Sequence, residues 1–294
     1  MARIVVGYDG TPASEPALET ALHEAARTSC DLQVVTTWRT APYVGSVPGY
    51  GYDVVPPLDD MKEELLLVAQ DAVARARAAT GREALDVTYD IGPGDAGTSL
   101  VEASAVADLV VLGPRRHGAV VSAIVGSATN YVLHHAQCPV LIVGPQAEAS
   151  WERVVVGVDG SDCSRSALRW AAARARQSSC RLVVVHAWEL MTSPDWYGMP
   201  LPDAPLYDKQ VRSWLEDEID EVLGANDLDV ELRSVHEAAG NGLLHCTTPA
   251  DLLVLGSRGR GRVSEILVGS VTMTCVHHAR CSIAVLRSGT GPTP

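Results

Sequence analysis

Gly256-Ser-Arg-Gly259, nine further residues, then Gly269-Ser270 is the stretch of this chain best suited to holding an anion. It follows the apolar run Asp251–Leu255 and leads into a helical pattern from about Ser270 to Ala279. Glycines let a backbone approach a ligand closely. Successive N–H groups in such a loop form a nest for phosphate, and a helix start adds unpaired donors and a favourable dipole end. Ser270 can add a hydroxyl donor, and Arg258, Arg260 and Arg262 can close over a bound phosphate. The plainer reading is a tight strand-to-helix connection with a solvated loop; the strand–loop–helix setting favours phosphate. A carboxylate, Asp159 in Val158-Asp-Gly-Ser161, ends an apolar run. It suits either a ribose or adenine hydrogen bond at the carboxyl end of a strand or an ordinary helix cap.

Each of these features has a counterpart earlier in the chain. An offset of 150 residues lays Arg3–Gly10 on Arg153–Gly160, Ser14 on Ser164, Cys30 on Cys180 and Trp38 on Trp188. Further on the offset is 143: Ala107–Gly113 meets Ala250–Gly256, Gly126-Ser127 meets Gly269-Ser270, and His134-His135 meets His277-His278. Landmarks in one order across two registers mean a duplication with seven residues lost from the second copy. The seam falls between Pro145 and Ser150, giving expected domains at 1–146 and 151–290.

The elements that must position these residues alternate in type. In the first copy strands are expected near 3–9, 31–37, 85–90, 108–113 and 139–144, with helices over 13–28, 58–80 and about 98–105. Apolar strands imply a parallel sheet covered on both faces, and the βαβ alternation makes it doubly wound. The second copy has one weak place, Ala239–Pro249, where two glycines, two threonines and a proline predict a short or irregular element. Glu216–Glu221, with Trp214, Leu215, Ile219 and Val222, reads as an amphipathic helix with an acidic outer face. The stretches Ala41–Pro57 and Met191–Pro205 read as long loops.

Bulk properties narrow the function. A net charge of −13 argues against nucleic acid or an anionic membrane as partner, and no apolar run has the length of a membrane span. The N-terminus enters a strand at once, with no signal-peptide core, and the seven cysteines show no C-x-x-C spacing, so a reducing, cytoplasmic setting is expected. Adjacent histidines at the ends of the last helices point about 100° apart, which suits helix C-terminal stabilisation better than metal binding. No Gly-x-x-x-x-Gly-Lys-[Ser/Thr] or Gly-x-Ser-x-Gly motif occurs, and both lysines, Lys62 and Lys209, lie away from the glycine loops. Rapid phosphoryl transfer therefore has little support.

The Gly-x-x-Gly-x9-Gly-Ser run, the opening Val-Gly-x-Asp-Gly-Ser and the closing His-His-Ala-x-Cys before an apolar strand resemble the universal stress protein family, twice over nearly the whole chain. The resemblance implies two tandem Rossmann-like (adenine nucleotide alpha hydrolase-like) domains. Each would be a five-stranded parallel sheet of order 3-2-1-4-5, and domains would pair through their last strands, with a homodimer of tandem chains expected by that route. It implies ATP binding, with Mg2+ held mainly by the phosphates. Asp159 and Ala187 would border adenine, Gly256 would lie by the ribose, and Gly259, Gly269, Ser270 and Val271 would hold phosphate. The first copy transfers Asp9, Thr37, Gly113, Gly126 and Ser127, but Arg116 stands where Gly259 does. A side chain there costs about 1–2 kcal/mol if the backbone must be left-handed, while Arg115, Arg116 and His117 bring positive charge. Binding in the first copy is expected to be weaker or differently posed. The function so implied is a nucleotide-dependent stress-response regulator with an unknown protein partner. An ATPase or nucleotidyl-transfer enzyme and a nucleotide-independent scaffold are the rivals.

Overall fold

The computed structural model describes residues 2–39, 58–81, 85–113, 126–144, 151–189, 203–225, 227–259 and 268–287. The seam at 145–150, the loop at 41–57, most of that at 191–205, and Arg115, Arg116, His117, Gly118, Arg260, Gly261 and Arg262 lie outside them.

The first copy runs β1 (Arg3–Gly7), α1 (Glu15–Thr28), β2 (Asp31–Trp38), α2 (Leu58–Thr80), β3 (Val87–Pro93), α3 (Ala96–Ser104), β4 (Leu109–Leu112), α4 (Ser127–His135) and β5 (Val140–Ile142). The second runs β6 (Arg153–Gly157), α5 (Asp162–Ser178), β7 (Arg181–Trp188), α6 (Ala204–Leu223), β8 (Val230–His236), α7 (Ala239–His245), β9 (Leu252–Gly256), α8 (Ser270–His278) and β10 (Ser282–Leu286). The local causes repeat. Asp-Gly turns at Gly10 and Gly160 take φ of +76° and +78°, which glycine alone adopts without strain. Helices α1 and α5 both stop at a left-handed serine, Ser29 and Ser179.

Chain contacts divide the protein into two compact units, Met1–Cys138 and Pro139–Pro294. In the first, strands pair in parallel in the order β3-β2-β1-β4. In the second the parallel order is β8-β7-β6-β9-β10, and β5 joins β10 antiparallel, Leu141 facing Ala284. Both edges of β10 are thus occupied, and a homodimer through that strand has no free ladder to use. Gly144 lies so close to Cys281 that an added Cβ would meet its carbonyl carbon at 2.6 Å, and its N–H bonds Ser282 Oγ at 3.1 Å. In each unit the buried aliphatic strands carry the core, with α1 against α2 and α3 against α4, repeated as α5 with α6 and α7 with α8.

Two sequence expectations need correction. The helix α6 begins at Ala204 behind Asp203, so Ala204 and Pro205 open a helix rather than close a loop, as suits a proline in the first turn. Glu218 is not on its outer face. It is buried and grips Arg165 of α5 through two bonds of 2.9 Å, while Glu221 holds the same guanidinium from the exposed side. The doubtful 239–249 stretch does contain a helix, of seven residues. Its glycines follow from packing: a Cβ on Gly240 would meet Thr274 of α8 at 2.8 Å, and one on Gly242 would meet Ala187 at 3.0 Å.

Candidate nucleotide pockets

In a doubly wound sheet the strands on either side of the order reversal leave a crevice at their carboxyl ends. In the second unit that crevice lies where β6 and β9 end, and it holds a cavity of about 540 Å³, well within the range of about 300–1,000 Å³ seen for small-molecule sites. Its lining includes Asp159, Ala187, Gly256, Arg258, Gly259, Gly269, Ser270 and Val271, eight of the residues singled out from sequence, while Arg260 and Arg262 lie outside the described residues. One wall was not foreseen: Ala239 and Leu243 of the short helix α7.

The parts are fixed from several sides. Asp159 Oδ1 accepts from Ser161 N at 3.0 Å and Ser161 Oγ at 2.6 Å, and Ser161 in turn caps α5 by accepting from Ser164 N. Capping thus falls to the serine, and the aspartate shapes the turn before it. His186 Nδ1 donates to Val158 O at 2.7 Å, and its ring meets Trp214 of α6 edge-on, fastening the end of β6 beside the aspartate. The glycine loop is tied down by Gly269 N to Ser257 O at 2.7 Å, Ser161 Oγ to Arg258 O at 3.4 Å, and Thr272 Oγ1 to Gly256 O at 2.8 Å. Helix α8 then starts at Gly269 with φ −66° and ψ 153° and no capping side chain, its first helical bond being Met273 N to Gly269 O. The N–H groups of its first turn therefore have no partner within the helix, and the dipole favours an anion there.

The glycines divide by what demands them. A Cβ on Gly256 would lie 2.8 Å from Cys163 Cβ and 2.9 Å from Cys163 C, so this glycine lets α5 cross the end of β9. A Cβ on Gly259 would run into Asp159 Oδ2. On Gly269 the nearest atom would be Ser257 O at 3.5 Å, an ordinary contact, and its φ suits any residue. Among the described residues nothing in the fold requires glycine at 269.

The first unit carries the same crevice where β1 and β4 end, with a cavity of about 450 Å³. Asp9, Thr37, Gly113 and Gly126 line it; Ser127 opens α4 beside it, where the lining takes in Ala128 and Thr129 instead. Arg116 lies outside the described residues. Ala96 and Leu100 form the wall that Ala239 and Leu243 form in the second pocket, each pair related by the 143-residue offset. Asp9 Oδ1 accepts from Thr11 N and Oγ1 as Asp159 does from Ser161. Thr36 Oγ1 donates to Tyr8 O at 2.8 Å, replacing the histidine fastener. Gly126 caps α4 with φ −63° and ψ 154°, again without a side-chain cap. Gly113 sits against Ala13 O, 2.9 Å from an added Cβ.

Sequence reasoning missed the Ala-Gly pairs at 96–97 and 239–240 and the Thr36 and His186 fasteners. The first were open to view, since they share the 143-residue offset; the fasteners share the 150-residue offset but differ in residue type, and only their equivalent bonds to Tyr8 O and Val158 O reveal the common role. The histidine pairs end α4 and α8 and join no group of three metal ligands among the described residues. His135 stacks on Tyr131 and bonds its carbonyl at 2.8 Å. Cysteines sit mostly in the core, and burial pushes the thiols of Cys138 and Cys275 up to about 12 and that of Cys281 to about 11. No helix among the described residues is long and apolar enough to cross a membrane.

Comparison with known proteins agrees with this geometry. The model of the universal stress protein family matches twice, over residues 1–144 and 150–287. Universal stress protein Rv1996 of Mycobacterium tuberculosis is 30% identical over 310 residues, covering 97% of this chain and 94% of its own. Universal stress protein Rv2623 of the same organism is 30% identical over 300 residues, with 97% and 96% covered. A universal stress protein from Archaeoglobus fulgidus shares the fold at a TM-score of 0.69, with 20% identity and 98% of each chain covered. Two successive matches to one family model and full-length likeness to its members have one meaning: the chain belongs to the universal stress protein family, as a tandem of two family domains.

Proposed function

We propose that this protein is an ATP-binding regulator of the stress response, acting in the cytoplasm, with the nucleotide held in the second pocket and at most slow hydrolysis. The observation that carries this reading is Gly269. Glycine stands at an uncapped helix start where no described protein atom excludes a side chain, so the space belongs to a ligand. Phosphate fits, because unpaired N–H groups and the helix dipole converge there. The base would lie against Ala187 and Leu243, the ribose near Asp159 and Gly256, and Mg2+ would ride on the phosphates. Arg258 supplies positive charge at the rim. Bound nucleotide would set the conformation offered to a regulatory protein partner. The first pocket keeps the walls and the helix start but has Arg116 in the loop, so its ligand is bound more weakly or in another pose. Any homodimer of tandem chains would form away from β10, whose edges are filled within the chain.

Denaturing the purified protein and analysing the released small molecules by mass spectrometry tests this. Adenine nucleotide should be recovered from the native chain and fall by at least tenfold in Gly269→Val/Ser270→Ala. An absence of adenine nucleotide, together with no ATP-induced rise in melting temperature, would overturn the reading.

A further inference from the structure

The ion pair that joins inner helix to outer helix is reversed between the copies. The offset of 150 sets Glu15 of α1 on Arg165 of α5, and that of 143 sets Arg75 of α2 on Glu218 of α6. The second offset also relates the glycines that end the two outer helices, Gly81 and Gly224, with φ of +67° and +61°. In the first copy Arg75 Nη2 reaches Glu15 Oε1 at 3.2 Å, and both side chains are exposed. In the second the cation stands on the inner helix. Arg165 grips Glu218 through two bonds of 2.9 Å, with Glu218 only 3% exposed, and Glu221 adds bonds of 2.6 and 3.1 Å. The residue one turn earlier on each outer helix differs as well: Asp71 bonds Arg75, whereas Trp214 at the same place lies edge-on to His186. Arg75 also bonds the Tyr8 hydroxyl, where the second copy has Val158.

A buried pair of this kind is a poor source of stability. The water lost by Glu218 offsets most of the attraction, and apolar residues of like volume serve as well or better. Its strength is in exclusion, because a buried charge left without its partner is strongly destabilising. Repeat chains are prone to misassembly and to exchange of equivalent elements, and after a duplication each outer helix meets two inner helices of the same shape. We infer that the reversed pair is a matching code: it admits each outer helix only to the inner helix of its own copy, and so keeps equivalent helices from exchanging within a chain or between two chains. With α6 on α1, Glu218 and Glu221 would face Glu15 in place of Arg165. With α2 on α5, Arg75 would face Arg165, and Asp71 would stand where Trp214 meets His186. Either error sets like charges together, and repulsion of that sort is what separates right partners from wrong ones of equal shape. The inference needs no ligand in either pocket.

Refolding of the full chain from urea, read by size-exclusion chromatography with light scattering, tests the code. Glu15→Arg/Arg75→Glu gives the first copy the polarity of the second. Native pairs stay matched and mispairs become matched too, so recovery at the native assembly size should fall at least about threefold, with larger species making up the difference. Arg165→Glu/Glu218→Arg equalises the copies in the other sense and should do the same. All four substitutions together restore opposition with every charge reversed, and recovery should return to within about twofold of the native chain. Arg165→Met/Glu218→Leu should match or exceed the native urea midpoint while lowering recovery, since it keeps packing and removes discrimination. The inference is overturned if either equalised chain recovers as completely as the native one, or if the fourfold variant recovers no better than the doubles. A urea midpoint of Arg165→Met/Glu218→Leu below the native value, or failure of both equalised chains to fold at any concentration, would make the pairs plain stabilisers and overturn it as well.

Discussion

Between the two copies, the cavity walls have been kept and the anchoring behind them has diverged. Gly7, Asp9, Leu100 and Gly126 line the first pocket at the positions of Gly157, Asp159, Leu243 and Gly269 in the second. Behind those walls, Arg153 holds Asp251 through two side-chain bonds of 3.0 and 2.6 Å, and Thr248 N adds a third donor. The equivalent Asp108 is exposed, and among the described residues its carboxylate accepts only from the backbone N of Arg3. Ser161 caps α5 with its side chain, whereas α1 begins behind Ser14 with no side-chain cap. Wall positions answer to whatever fills the crevice. Anchors answer only to stability, and many solutions serve.

The strongest way to break this comparison is to separate glycines that the fold needs from one that it does not. Gly256→Val drives a side chain into Cys163 and should cost at least about 3 kcal/mol in urea unfolding, the upper range for overpacking. Gly269→Val should change stability by less than about 1 kcal/mol while ligand is lost. Equal destabilisation by the two would mean that Gly269 is also a folding residue. Next comes the anchor difference. Asp251→Asn leaves Arg153 short of its charge partner and should cost about 2 kcal/mol, less than a fully buried pair because Arg153 is 23% exposed. Asp108→Asn should cost under about 1 kcal/mol, and the same urea midpoints decide between them.

The smallest expected effect lies in alkali. Burial raises the thiols of Cys275 and Cys281 in the second unit, and of Cys138 in the first, above their ordinary value near 9. A group whose folded pKa is raised contributes fully below the unfolded value and loses that contribution as pH climbs toward the folded one. Each thiol should therefore cost about 1 kcal/mol of stability by pH 10. Cys275→Ala should flatten the fall between pH 9 and 10, as should Cys138→Ala in the first unit. Burial also raises Tyr8 and Tyr89, which lie in the first unit, and they join above pH 10. A stability curve flat from pH 8 to 10 would contradict the burial of these thiols.

Much of this was legible beforehand because a duplicated chain states its landmarks twice. The Asp-Gly turns, the apolar strands and the glycine spacing fixed the elements and eight residues of the second pocket's lining. What escaped depends on distances between elements. The glycines of α7 lower helix propensity, and nothing local shows that Thr274, Ala187 and Val235 need them to be bare. Glu218 follows the pattern of a solvated acidic face, and only the approach of Arg165 from α5 draws it inward. Pro205 looked like a loop residue because proline marks loops and first helical turns alike.

The repeat and the packed body end at different residues, since β5 belongs to the first copy by descent and to the second unit by contact. A chain started at the repeat boundary would keep every landmark of the second domain and lose the neighbour that covers β10. Ser282–Leu286 is buried at all five positions, and a bare, apolar edge of that kind is a template for adding strands from other molecules. Covalent linkage thus works as an edge guard: the first copy lends three residues that keep the second copy's sheet from growing.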